Sequence, residues 1–110
     1  MSKRPEHFGV IIEDPSGQRR IVRLDSKKKV FGRWPPPHSD VQLHDGCVAK
    51  SHFEIQWNAA ASTHEVFDYG RRYSPTVNGD VVRGERRLLH PADVLAIGQY
   101  TLQYVDLAHL

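Results

Sequence analysis

Residues 31–55 read FGRWPPPHSDVQLHDGCVAKSHFEI, and this stretch decides the fold. Gly32-Arg33 closes an apolar strand. Trp34 and Pro35-Pro36-Pro37 make a stiff loop, because proline fixes φ and removes a ladder donor. A short strand is expected around Val41-Gln42-Leu43, followed by a polar turn at His44-Asp45-Gly46-Cys47. Beyond Val48-Ala49-Lys50-Ser51-His52, the residues Phe53, Ile55 and Trp57 alternate with polar ones. That period of two puts them on one face of a strand, toward a core.

The same pattern extends outward in both directions. Phe8 to Ile12 reads as a first strand, and Asp14-Pro15-Ser16-Gly17 as a turn. Gln18 to Leu24 pairs back, and Lys27 to Phe31 makes a third strand. Ala59 to Ser62 is a hairpin loop with His64 to Phe67 as its return strand. Asp68 to Pro75 is an irregular basic loop, and Asn78-Gly79 is a hairpin signal. Val94 to Ile97, a turn at Gly98-Gln99, and alternating Tyr100, Leu102 and Tyr104 complete the chain. Many short strands with closely spaced turns predict an all-β sandwich or barrel. No amphipathic helix or internal repeat is visible.

Composition bounds the function. The 110 residues are enough for one core, and 39% apolar residues suit a globular domain. A formal net charge of +2 does not by itself indicate nucleic acid. The lone Cys47 excludes an internal disulfide and suits a reducing, cytoplasmic compartment. No apolar run has the length of a membrane span, and no apolar segment follows the charged N-terminus as in a signal peptide. Residues 1–7 are expected to be a flexible lead-in, 8–107 the domain, and 108–110 a tail or the start of a linker.

The ordered motifs resemble the forkhead-associated (FHA) domain, a two-sheet β-sandwich (FHA/SMAD-like) that reads phosphothreonine. They are Gly32-Arg33, Asp40-Val41-Gln42-Leu43, Val48 to His52, Asp68 to Gly79, and Leu89 to Gly98. The resemblance implies that Arg33 contacts an anion, a role suited to an always-charged guanidinium that forks onto two oxygens. It implies structural roles for Gly32, His52, Asn78 and Gly79, with His52 buried and bonded to backbone. It also implies that Arg33, Ala49-Lys50 and Arg71 to Tyr73 converge at one end of the sandwich.

The chain departs from the family pattern where the chemistry sits. Ala49 stands where the family has its phosphate-binding serine, and Lys50 keeps a basic neighbour. In the next loop Arg71 replaces a serine, Tyr73 a peptide-gripping asparagine, Ser74 a glycine and Pro75 a threonine. Arg72 occupies a variable position that often touches phosphate. Positive charge is kept while neutral hydrogen-bonding groups are lost. The reading favoured is a non-catalytic module that binds a protein partner without strict need for phosphate. The alternative is a phosphothreonine reader that uses Arg33, Lys50 and Arg72 as a charge cluster.

Other chemistry is weaker. His38, His44, Asp45 and Cys47 fit no standard zinc spacing, so no metal or cofactor is expected. Ser51-His52 is not a nucleophile-base pair, because adjacent strand residues point to opposite faces. Arg19-Arg20, Arg23 and Lys27-Lys28-Lys29 form a basic hairpin that reads first as a guarded sheet edge. Nucleic-acid binding through it is a lesser alternative, since no aromatic-basic interleaving is present.

Overall fold

The computed structural model describes residues 3–110. Eleven strands follow in chain order: β1 Phe8–Glu13, β2 Arg19–Arg23, β3 Lys29–Gly32, β4 Val41–Gln42, β5 Phe53–Asn58, β6 Thr63–Asp68, β7 Thr76–Val77, β8 Asp80–Val81, β9 Arg86–Leu88, β10 Val94–Ile97 and β11 Tyr100–Asp106. Short 3-10 helices, Pro5–His7 and Leu107–His109, flank them. The strands form a six-stranded sheet, β2-β1-β11-β10-β7-β8, and a five-stranded sheet, β4-β3-β5-β6-β9. Neighbouring strands are antiparallel except β3 and β4, whose crossover through the Pro-rich loop makes them parallel. The protein is an all-β, two-sheet sandwich.

Period-two alternation builds the core. In β11, Tyr100, Leu102 and Tyr104 are buried while Thr101 between them is exposed. They meet Val10 and Ile12 of β1 and Leu95 and Ile97 of β10, and the opposite sheet supplies Phe31, Phe53, Ile55 and Val66. Phe31 stacks on Phe53 at 5.0 Å between centroids, and Phe8 on Tyr104 at 5.1 Å. Stacked aromatic pairs of this kind add to the burial of their large surfaces.

Among the described residues, buried side-chain polar atoms have partners, with Asp68 Oδ1 the exception. His64 is fully buried. The Tyr104 hydroxyl accepts its backbone N–H at 3.1 Å and donates to its Nδ1 at 2.9 Å, while its Nε2 donates to the Asp25 carbonyl at 2.9 Å. Burial holds the imidazole neutral and pushes its pKa down. Glu54 is buried too, on the face of β5 opposite Phe53 and Ile55, and accepts a hydrogen bond from the Tyr69 hydroxyl at 3.0 Å. Trp57, expected in the core, is only partly buried and packs at its border against Phe8 and His64.

One expected strand boundary moves. The third strand begins at Lys29, not Lys27, because Asp25 Oδ1 accepts the Lys27 N–H and holds those residues in a turn. From Lys3 onward the N-terminal lead-in is attached to the sandwich: Lys3 Nζ lies 2.5 Å from Asp106 Oδ2, and Pro5–His7 turn into β1. Met1 and Ser2 lie outside the described residues.

Candidate functional site

Three connections meet at one end of the sandwich: residues 33–40 after β3, 43–52 before β5, and 69–75 after β6. The meeting point is made by backbone. Arg33 N–H donates to the Ala49 carbonyl at 2.8 Å, and Trp34 N–H to the Lys50 carbonyl at 3.4 Å. Gly32 is required by this approach. A Cβ there would lie 2.1 Å from the Lys50 carbonyl oxygen, well inside contact distance.

His52 joins the second connection to the third. Its ring is fully buried. Nδ1 accepts the Ala49 N–H at 2.9 Å, so Nε2 carries the proton and donates to the Tyr73 carbonyl at 2.6 Å. Burial, outweighing the Tyr73 bond and nearby Asp68, pushes the imidazole pKa down and keeps it neutral. Arg71 adds a second link, with Nε donating to the Ser51 carbonyl at 2.9 Å. Tyr69 N–H donates to the His52 carbonyl at 3.2 Å.

The surface so assembled is cationic and aromatic. Lys50 Nζ sits 4.2 Å over the Trp34 ring, and the Arg72 guanidinium lies 5.4 Å from the Tyr73 ring. Such cation–π contacts keep the charge while fixing where it sits. Trp34 and Tyr73 remain 40% and 45% exposed. Among the described residues, none of Arg33, Lys50, Arg71 and Arg72 pairs with a carboxylate. The Tyr69 hydroxyl is pushed up to about 12 by burial first and by Glu54 second, so it stays a neutral donor.

Hydroxyl groups are sparse here. Ala49 has none, and the Ser51 hydroxyl is bonded to the His38 carbonyl. Ser74 accepts from Arg83 Nη1 at 3.2 Å. Among the described residues, with both His52 nitrogens also engaged, no nucleophile-base pair is assembled at this end. Among the described residues, His38, His44, Asp45 and Cys47 form no metal-binding group; Asp45 instead accepts the amides of Cys47 and Gln99.

Asn78 and Gly79 sit elsewhere. They form the β7–β8 turn at φ of +51° and +86°. Asn78 bonds to Asp93 and Val94 at the start of β10, not to residues 33–52. Sequence reasoning did not anticipate three contacts that build this end. Trp34 carries Lys50, Arg71 grips the Ser51 carbonyl, and buried Asp68 anchors the third connection by accepting the amides of Gly70 at 3.1 Å and Gly84 at 2.8 Å. The Asp68-Tyr69-Gly70 spacing, an Asp two residues before a glycine, was the available signal for that last turn.

The family model described as the FHA domain matches residues 29–98, which holds all three connections. The chain belongs to the FHA domain family. The FHA domain of the CT664 protein from Chlamydia trachomatis superposes with a TM-score of 0.79 at 21% identity, covering 90% of this chain and 96% of that one. The FhaA FHA domain, solved in complex with the intracellular domain of Rv3910, gives 0.73 at 24% identity, covering 88% and 98%. These are likenesses of fold.

Curated relatives match locally. A cardiolipin synthase of Listeria innocua is 38% identical over 53 residues, 48% of this chain and 11% of that protein. One from Listeria monocytogenes is 39% identical over 56 residues, 51% and 11%. The chain thus spans about a tenth of the length of these relatives, and a match of that extent carries no activity across. FHA domains are non-catalytic protein-interaction modules that typically bind phosphothreonine. Among the described residues no helix is long and apolar enough to cross a membrane.

Proposed function

We propose that this FHA domain binds a protein partner through the loop end built by Arg33, Ala49-Lys50 and Arg71 to Tyr73, without strict need for phosphate. The observation that supports the reading is the His52 clamp beside Ala49. The clamp ties the second connection to the third, while the residue at the expected serine position offers only a methyl group. A hydroxyl bonded to a charged group contributes about 1.5–3 kcal/mol, so its loss removes much of the preference for a phosphorylated side chain. Exposed Trp34 and Tyr73 and the unpaired cations suit an extended segment with acidic and apolar residues. The lone Cys47 fits a reducing, cytoplasmic setting.

One observation favours a second reading. Arg33, Lys50 and Arg72 are not neutralised by any carboxylate among the described residues, and a phosphate could be held by charge alone. Titration calorimetry separates the two. A phosphothreonine peptide and its unphosphorylated twin are compared on wild type, on Arg33→Ala, and on the double variant Ala49→Ser, Tyr73→Asn. Wild type is expected to bind the phosphopeptide weakly and the double variant about tenfold more tightly, since a restored donor is worth about 1–2 kcal/mol. Tight wild-type binding that needs both the phosphate and Arg33 would favour the charge-cluster reading instead.

A further inference from the structure

Strands β2 and β4 are edge strands on the same flank of the sandwich. A groove of about 610 Å³ runs between them, lined by Arg19, Arg20 and Val22 on one side and Asp40, Val41 and Gln42 on the other. Arg20 spans it, with Nη2 donating to the Gln42 carbonyl at 2.9 Å. At five residues β2 is the longest edge, against two in β4, two in β8 and three in β9. Among the described residues, only β2 offers an edge run long enough for several successive ladder bonds.

The phase of the ladder shows which groups face outward. Leu24 N–H donates to the Phe8 carbonyl, and Asp14 N–H to the Gln18 carbonyl. With Val10 opposite Val22 and Ile12 opposite Arg20, antiparallel alternation turns the backbone groups of Arg20 and Val22 toward β1. Those of Arg19, Ile21 and Arg23 point away, and among the described residues no other strand pairs with them. Their side chains share one face, where Ile21 is 53% exposed between two arginines.

The charge around this edge is one-sided. Arg19 pairs with Glu13 at 2.7 Å, but Arg20, Arg23, Lys27, Lys28 and Lys29 have no carboxylate partner among the described residues. The nearby carboxylates of Asp14 and Asp25 accept turn amides.

We propose that the free edge of β2 is a second docking site, which takes an extended acidic polypeptide segment as an added strand. The backbone donors and acceptors supply the affinity, as in strand addition generally. The arginines supply selection: two copies of this edge repel each other, while glutamates opposite Arg19 and Arg23 attract and an apolar residue between them covers Ile21. Outward amides alternating with carbonyls match a polypeptide strand better than a nucleic-acid backbone, which offers acceptors but no matching ladder of donors. The edge residues Arg19, Ile21 and Arg23 lie outside the three connections of the loop end, although Asp40 of the first connection borders the groove.

The test uses an isotope-labelled domain and amide NMR. The probe is an end-blocked peptide, Thr-Glu-Thr-Ile-Thr-Glu-Thr. Controls are the same peptide N-methylated at alternate residues, a version with Lys for Glu, and oligothymidine. The probe is expected to shift the Arg19, Ile21 and Arg23 amides and slow their exchange. N-methylation, Lys for Glu, and the variant Arg19→Glu, Arg23→Glu should each weaken binding about tenfold or more, the first because it removes ladder donors and the other two because charge reversal turns cross-strand attraction into repulsion. Arg33→Ala should leave this binding unchanged, which separates it from the loop end. Absence of edge shifts, or equal binding of the N-methylated peptide, overturns the proposal. A stronger response of the same amides to oligothymidine would assign the edge to nucleic acid.

Discussion

Replacing His52 by phenylalanine tests the frame on which the loop end depends. Phenylalanine approximates the volume of the buried ring but removes both of its hydrogen bonds, to Ala49 N–H and the Tyr73 carbonyl. Each bond contributes about 0.5–1.5 kcal/mol net, and each partner left unpaired and buried costs about 1–3 kcal/mol. Ala49 is half-buried and Tyr73 exposed, so water reaches the freed groups in part and the full penalty is not felt. The expected loss is about 2–4 kcal/mol. For a domain of this size that lowers Tm by about 10–20 °C. Urea unfolding followed by circular dichroism measures the loss, and amide exchange at Ala49 reports whether the second connection loosens. A change within about 0.5 kcal/mol, the range of an ordinary surface substitution, would refute the clamp.

Gly32→Ala should destabilise by about 3 kcal/mol or more, because its Cβ would lie 2.1 Å from the Lys50 carbonyl; thermal melting decides it, and a stable variant would show that the two connections separate easily. Tyr104→Phe removes the hydroxyl that satisfies both the backbone N–H and the ring Nδ1 of His64, and should cost about 1–3 kcal/mol in chemical denaturation. Stability should also fall with pH from neutrality downward. Burial lowers the folded-state pKa of both His52 and His64, so below the ordinary value near 6.5 the unfolded chain binds more protons, and the stability present above that value is lost as pH falls through the folded values. His52→Phe should flatten this dependence in urea midpoints measured between about pH 7.5 and pH 5. An unchanged slope would mean the ring is not held neutral.

Strand existence was legible in the sequence because its causes are local. Alternation in Tyr100, Leu102 and Tyr104, and the turn chemistry of Asn78-Gly79, act within a few residues. The order of motifs from Gly32-Arg33 to Gly98 was enough to indicate the family and the convergence of three distant segments. What the sequence did not show was which polar residues would be inside. His64 reads only as the start of a return strand, and it is buried because Tyr104, 40 positions away, supplies its partners. Glu54 reads as the solvent side of β5, yet Tyr69 covers it. Trp34 reads as part of a stiff loop and Arg71 as part of a converging one, but only the folded chain sets the first under Lys50 and the second against the Ser51 carbonyl. The same holds for the basic hairpin: its arginines are plain in the sequence, but that β2 ends a sheet, and which of its amides face outward, follow from pairing with β1 and from no strand lying beyond it. Local steric preference and apolar spacing determine the elements. Burial of a polar group and exposure of a backbone edge depend on partners far along the chain, and only the tertiary structure decides them.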